Sequence, residues 1–157
     1  MDAALELGVS CGGWCPAGRL AEDGEIPERY PVVELPNGGY AERTSQNVAD
    51  SDGTLIIAHG PLMGGTRETV ERCIEMQKPH LVIDCANVSI DERIEQAAEF
   101  VRALSSSSSA QLGMTTVLNI AGPRASQWPQ ARDVAREIVS AILRRLSGHN
   151  RPDEYSA

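Results

Sequence analysis

Short apolar runs alternate with amphipathic stretches along this chain. Residues 53–58 and 80–84 are almost continuous apolar runs, and a third run covers residues 115–121. Runs of this length and composition are typical of strands that are buried on both faces of a parallel sheet. Three strands are therefore predicted at these positions.

A helical pattern follows each of the three runs. It predicts one helix that begins near Thr66, a second that begins at the capping box Ser89–Glu92, and a third over residues 131–146 that stops at Gly148. Strands that alternate with helices in this way imply a parallel sheet with right-handed crossovers. The predicted fold class is therefore α/β, with a Rossmann-like parallel sheet flanked by helices.

The first fifty residues follow a different pattern. Residues 9–14 are a brief strand candidate, residues 15–36 form a long irregular stretch, and residues 40–50 predict a helix. Loops as long as this stretch tend to be functional or disordered, and this one is a candidate to lie over an end of the sheet. On the predicted helix, Arg43 and Asn47 stand one turn apart and lie together.

The size and composition indicate a single domain. The chain has 157 residues, of which 41% are hydrophobic, enough for one core. We predict one domain over residues 1–148, a surface turn at the serine run 105–109, and a polar C-terminal tail over residues 149–157.

Charge and cysteine content exclude several classes of function. A formal net charge of −8 argues against binding to nucleic acid or to an anionic membrane surface. No apolar run approaches the ~20 residues that a membrane span needs. With no secretory signal, the four cysteines are expected to be reduced thiols in a cytoplasmic protein. No second ligand pair accompanies Cys11 and Cys15, so no structural metal is expected.

Two segments follow predicted strands, where parallel α/β sheets bind their ligands. In residues 60–66, Gly64 and Gly65 let the backbone approach a ligand at a helix start. The free amides there attract an anion, and the Thr66 hydroxyl can bond a phosphate oxygen. An ordinary strand-to-helix turn would use the same glycines. The segment matches neither the Walker loop nor the dinucleotide fingerprint.

The second segment covers residues 119–126. Within it, Arg124 is a candidate counter-charge for an anion, and Ser126 either caps the following helix or contacts the ligand. No Ser-His-Asp, Cys-His or metal-ligand cluster can be assembled from the sequence, which favours binding over catalysis. No catalytic residue is assigned.

Several longer motifs also occur in a fixed order. They are Cys11-Gly-Gly-Trp-Cys-Pro-Ala-Gly-Arg-Leu-Ala-Glu-Asp-Gly24, Ile26-Pro27, Arg43-Thr44, Asn47-Val48, Asp50-Ser-Asp-Gly-Thr-Leu-Ile56, Gly64-Gly-Thr66 and Asn119-Ile-Ala-Gly-Pro-Arg-Ala-Ser126. Together they resemble the molybdenum cofactor (molybdopterin) carrier family. That family is similar to the wider superfamily of Rossmann-like nucleotide-binding domains that includes the cytokinin-activating phosphoribohydrolases.

The resemblance covers nearly the whole chain and implies a three-layer α/β sandwich that forms homo-oligomers. It implies a phosphorylated ligand, either molybdenum cofactor or a nucleotide, with molybdoenzymes as candidate partners. Members of the family begin with a strand and a glycine-rich loop, whereas residues 1–8 here look like the end of the helix that follows that loop. Either the sequence starts after that strand and loop, or the protein lacks them. A sheet without its first strand has an exposed seam, so we expect dimerisation or poor solubility.

The leading hypothesis is a non-catalytic protein that carries or protects molybdenum cofactor. Its predicted ligand site comprises Gly60, Pro61, Gly64, Gly65, Thr66, Arg43, Arg19, Asn47, Gly122 and Arg124.

The rival hypothesis is a nucleotide sensor or N-glycosidic hydrolase, with Glu68 or Asp84 as the general acid or base. The phosphoribohydrolases place a glutamate where this chain has Thr69. One helical position is a rotation of about 100°, so Glu68 is expected to point elsewhere. A third hypothesis is a purely structural or interaction role.

Overall fold

The structure is a computed structural model that describes residues 1–106 and 115–147. Its helices and strands, in chain order, are α1 (Asp2–Glu6), β1 (Gly13–Cys15), β2 (Leu20–Ala21), β3 (Gly24–Glu25), β4 (Val32–Glu34), α2 (Tyr40–Ala49), β5 (Gly53–Ala58), α3 (Gly64–Glu75), β6 (His80–Asp84), α4 (Ile90–Ser105), β7 (Leu118–Ala121) and α5 (Ala131–Leu146). The predicted tail, the stop at Gly148 and most of the serine run lie outside the described residues.

The main sheet has β5 at its centre, with β6 on one side and β7 on the other. Both pairings are parallel, with Thr54 opposite His80 and Gly53 opposite Leu118. All six residues of β5 are buried, as its continuous apolar run predicts. The third strand is shorter than predicted, because residues 115–117 lie outside β7.

Helices cover both faces of this sheet. Leu55 and Ile57 of β5 belong to a core cluster that also includes residues of α4 and α5, such as Ala97 and Ile138. Ile56 alternates with these residues, so it points to the opposite face, and it is fully buried. The helix α3 packs against β5, and α2 packs against α3. The predicted α/β architecture with a parallel sheet between helices is confirmed.

The predicted capping box at the start of α4 is also confirmed. Ser89 Oγ accepts a hydrogen bond from the Glu92 amide at 3.4 Å, and Glu92 Oε2 accepts one from the Ser89 amide at 3.1 Å. The pair satisfies two amides that the helix itself leaves free. The start of α3 differs slightly from the prediction, because this helix begins at Gly64 instead of near Thr66.

The prediction that residues 15–36 are irregular is wrong. This stretch contains the antiparallel pair β2–β3 and also β4, which pairs in parallel with β1. Strands of two or three residues are too short to show an alternating pattern. Their order comes instead from the guanidinium of Arg19, which donates hydrogen bonds of 2.9–3.1 Å to the carbonyl oxygens of Ile26, Pro27, Tyr30 and Val32.

Candidate functional site

A cavity of about 250 Å³ lies between α2, the amino end of α3 and the carboxyl end of β7. Its lining residues are Tyr40, Arg43, Thr44, Asn47, Gly65, Thr66, Glu68, Thr69, Asn119, Ile120, Ala121, Gly122, Arg124 and Gln127. This is the edge of the sheet at which parallel α/β folds bind their ligands.

The amino end of α3 presents hydrogen-bond donors to this cavity. The N-cap residue is Met63, whose side chain makes no hydrogen bond to the first amides of the helix. Thr66 is only 5% exposed, and its buried Oγ1 has no hydrogen-bond partner among the described residues. Leaving a buried hydroxyl unpaired costs about 1–3 kcal/mol. The free amides and this hydroxyl together suit an acceptor-rich anion.

Arg43 supplies positive charge on the α2 side of the cavity. Its side chain is half-buried, and its buried Nε has no hydrogen-bond partner in the described part of the chain. Burial lowers the pKa of Arg43, and the positive charge of Arg124 lowers it further, whereas Tyr40, Cys15 and Glu68 act in the opposite direction. A partly desolvated cation with an unpaired donor favours binding of an anion.

Arg124 adds a second cation at the rim of the cavity. Its guanidinium carbon lies 5.2 Å from the centre of the Tyr40 ring, within the range of a cation–π contact. Tyr40 and Arg43 stand three positions apart on α2 and therefore lie on the same side of that helix. The tyrosine ring thus holds one cation near the other.

A sequence model of the circularly permutated YpsA SLOG family matches residues 1–143. The chain belongs to this family. It is also similar to a solved structure from Syntrophus aciditrophicus SB, whose protein is named "Putative molybdenum carrier protein". The two sequences are 40% identical, the TM-score is 0.76, and the match covers 90% of this chain and 84% of that one. The predicted resemblance is confirmed. A search of the curated proteins finds no match.

The structure of this SLOG protein brings most of the predicted site residues to one place. Those that line the cavity are Arg43, Asn47, Gly65, Thr66, Gly122 and Arg124. Gly64 is the first residue of α3, directly beside them. At Gly122 the end of β7 passes so close to β5 that a Cβ atom would lie 2.6 Å from the Ile57 carbonyl oxygen. Only glycine fits this crossing without a shift of the backbone.

Asn47 lines the cavity, but its side-chain amide is hydrogen-bonded to the backbone of β1. Its Oδ1 accepts from the Trp14 amide at 2.8 Å, and its Nδ2 donates to the Trp14 carbonyl at 3.1 Å. These two bonds fasten β1 to α2. Asn47 therefore has a structural role that its helical spacing from Arg43 did not reveal.

Three of the predicted site residues lie outside this cavity. Arg19 is held by backbone carbonyls, and the Gly60 amide donates to Asp84 Oδ1 at 2.9 Å. Pro61 lines a separate cavity of about 50 Å³ together with His59 and Trp128, whose ring centres are 5.4 Å apart. A sequence does not distinguish a turn glycine or an arginine that binds a ligand from one that binds other parts of the same protein.

Ser126 takes neither of the two roles predicted for it, because it does not cap the last helix and does not line the cavity. The helix α5 begins at Ala131 after Gln130. The amide and hydroxyl of Ser126 instead donate to the carboxylate of Glu22, in the turn between β2 and β3. Glu22, in the early stretch, therefore contacts the turn after β7, at the end of the sheet where this stretch was predicted to lie.

The prediction for the direction of the Glu68 side chain is wrong. The helical rotation predicted that this side chain would point elsewhere, but Glu68 lines the cavity. It lies three residues after Gly65, close to one full turn, so the two share a side of α3. The spacing of Glu68 from Gly65 on α3 could have identified Glu68 as a site residue. The spacing of Tyr40 from Arg43 on α2 could have identified Tyr40 in the same way. No sequence signal pointed to Gln127, which comes from a turn after β7.

Within the described ranges, none of the helices has the length and hydropathy that a membrane crossing requires. Those residues also contain no group of three or more histidine, cysteine, aspartate or glutamate side chains placed to hold a metal ion. The four cysteines are free.

Asp84 anchors the loop after β5 and is not directed into the cavity. It accepts hydrogen bonds from the amides of Gly60 and Ala86, each at 2.9 Å, and from Asn87 Nδ2 at 3.0 Å. The Gly60 amide is the main reason that the pKa of Asp84 lies below its ordinary value of 3.8. The ionised carboxylate therefore stabilises the fold above that value, and this contribution is lost as the pH falls through the lowered pKa.

The lowered pKa of Asp84 predicts how the stability of this SLOG fold depends on pH. Asp84→Asn keeps the shape of the side chain and removes its charge, so it should lower the urea midpoint at about pH 7, and the difference from wild type should narrow toward about pH 3. Asp23→Asn, in the exposed turn between β2 and β3, is the matched control and should show no such trend. An Asp84→Asn deficit that is constant over the whole pH range would contradict the anchoring role of the carboxylate.

Proposed function

We propose that this protein binds a phosphorylated small molecule in the cavity between α2 and α3, with the phosphate at the amino end of α3. The observation that carries the proposal is the buried hydroxyl of Thr66, which has no partner among the described residues and lies at a helix start without a side-chain cap. Arg43, whose Nε also has no partner in that part of the chain, lines the same cavity. A phosphate offers acceptors to all of these donors at once.

The charge distribution supports an anionic ligand. The chain as a whole carries a net charge of −8, yet two arginines, Arg43 and Arg124, line this one cavity. Phosphate esters carry up to two negative charges near neutral pH, and guanidinium groups bind their oxygens through well-directed hydrogen bonds. The cavity therefore suits a phosphate locally in a protein that repels polyanions overall.

Molybdenum cofactor is the ligand that fits both this phosphate position and the name of the related protein. The Syntrophus protein is named "Putative molybdenum carrier protein", and the two sequences are 40% identical where they match. In this proposal the helix amides, Thr66 and the two arginines hold the phosphate of the cofactor, whose metal centre is the cargo. The protein would carry or protect the cofactor, and delivery to molybdoenzymes would follow from that role.

A second candidate is an enzyme or sensor that acts on nucleotides, and one observation favours it. The carboxylate of Glu68 lines the cavity and is therefore available as a general acid or base. Release of free base from a nucleoside monophosphate, abolished in Glu68→Gln and retained in Glu71→Gln, is the result expected of this candidate. Absence of that activity in the wild-type protein would leave the carrier proposal as the better one.

Gly65 offers a direct test of the phosphate position. A Cβ atom at Gly65 would meet nothing within 4 Å, so both alanine and aspartate fit there. Gly65→Asp places a carboxylate beside the proposed phosphate, in a helix position where a negative charge favours folding. It should remove ligand binding while Gly65→Ala keeps it.

Thermal unfolding with molybdopterin, AMP and phosphate gives the readout for this pair. A ligand at 100 times its dissociation constant stabilises the native state by about 2.7 kcal/mol. We expect that shift for wild type and Gly65→Ala with at least one of the three compounds, and none for Gly65→Asp. Equal shifts in the two variants would place the anion somewhere else.

Arg43 gives an independent test, because its partly buried cation has a cost in the free protein. Arg43→Met replaces it with an apolar side chain of similar length. We expect the ligand-free protein to be as stable as wild type or more stable, by about 1 kcal/mol, and the stabilisation by ligand to be lost. Urea unfolding with and without phosphate measures both effects. Arg67→Met, whose exposed cation pairs with Glu71 at 3.4 Å, is the control and should keep the ligand effect.

A further inference from the structure

One side chain in the proposed phosphate cavity has the wrong charge for a phosphate. Among the described residues that line the cavity, Glu68 alone carries a carboxylate. It is close enough to Arg43 to affect that guanidinium electrostatically. A like charge near a bound phosphate weakens binding, so a site for a bare oxyanion gains nothing from Glu68.

The hydrogen-bonding capacity of Glu68 is not used up among the described residues, where its one ion pair is a long contact with Arg72. Its Oε1 lies 3.8 Å from Arg72 Nη2, beyond hydrogen-bond distance, while Arg72 Nη1 binds Glu75 at 2.7 Å. The Glu68 side chain is 32% exposed. A carboxylate in this position can accept hydrogen bonds from a molecule in the cavity.

The position of Glu68 separates it from the proposed phosphate. It follows Gly65 by three residues on α3, which at about 1.5 Å per residue places it roughly 4.5 Å further along the helix axis. The cavity of about 250 Å³ is also lined by residues of α2 and β7. It therefore extends beyond the amino end of α3 and has room for an organic group beside Glu68.

We propose that Glu68 determines specificity in this cavity by accepting hydrogen bonds from hydroxyl or amino groups on the organic part of the ligand. The site then selects phosphate monoesters that carry such donors over bare oxyanions such as inorganic phosphate or molybdate. This inference rests on the proposed function and deepens it. A phosphorylated pterin and a nucleoside monophosphate share this chemistry, and the test below distinguishes them.

The test compares the binding of three probes by calorimetric titration: inorganic phosphate, AMP and a phosphorylated pterin. Glu68→Gln removes the charge and keeps the size of the side chain. Glu71→Gln, on α3 and paired with Arg67 at 3.4 Å, is the matched control. In the wild-type protein we expect at least one ester to bind more tightly than phosphate, and the one that does identifies the source of the donor groups.

Glu68→Gln should change the affinities in opposite directions. Inorganic phosphate should bind more tightly, because a like charge is gone. The favoured ester should bind about tenfold or more weakly, because hydrogen bonds to a charged acceptor are lost. Glu71→Gln should leave both affinities within about twofold, since surface charges away from a site contribute little.

Two results would overturn this inference while leaving the proposed function in place. One is that neither ester binds the wild-type protein more tightly than phosphate. The other is that Glu68→Gln shifts phosphate and ester in the same direction. If none of the probes binds wild type, or if Gly65→Asp binds them as well as wild type does, the proposed phosphate site itself is wrong.

Discussion

The parallel pairing of β5 with strands on both of its edges determines where the other elements lie. Parallel strands cannot be joined by tight turns, so the chain must cross over through α3 and α4, and these helices then cover the sheet. The same pairing brings the carboxyl ends of β5, β6 and β7 to one edge. The loop anchored by Asp84, the start of α3 and the close crossing at Gly122 all lie at this edge for that reason.

The cavity differs from the core in how completely its polar groups are satisfied. In the core and in the early stretch, polar groups find partners: Arg19 donates to four carbonyl oxygens, and Asn47 both donates to and accepts from Trp14. In the cavity, Thr66 Oγ1 and Arg43 Nε remain buried without partners among the described residues. The third such atom, Arg72 Nε, lies outside the cavity lining, in a guanidinium that pairs with Glu75. Unsatisfied groups of this kind lower stability and persist in proteins mainly where they serve binding.

The sequence alone predicted the parts of the fold that depend on local patterns. The apolar run of β5, the capping box at Ser89 and the amphipathic pattern of α5 each reflect interactions within one element. The glycines before Thr66 indicated a helix start to within two residues for the same reason, since free amides and backbone freedom are local properties.

The remaining features depend on contacts between residues far apart in the chain. Asn47 binds Trp14 across 33 positions, and Glu22 binds Ser126 across 104. A single sequence carries no signal for such pairs, so helical spacing and charge cannot show that Arg19 and Asn47 bind backbone atoms. The two short strand pairs were missed because their order comes from Arg19 and not from a strand pattern.

The attachment of β1 to α2 has one further consequence. Arg43, Asn47 and Asp50 stand on the same helix or at its end, and Asp50 Oδ2 accepts a hydrogen bond of 2.7 Å from the indole nitrogen of Trp14. The chain has only two tryptophans, and the other, Trp128, stacks near His59 beside the smaller cavity. A displacement of α2 on ligand binding would move the surroundings of the Trp14 indole. The protein thus contains a natural fluorophore coupled to one wall of its cavity, so that occupancy can be followed optically without a label.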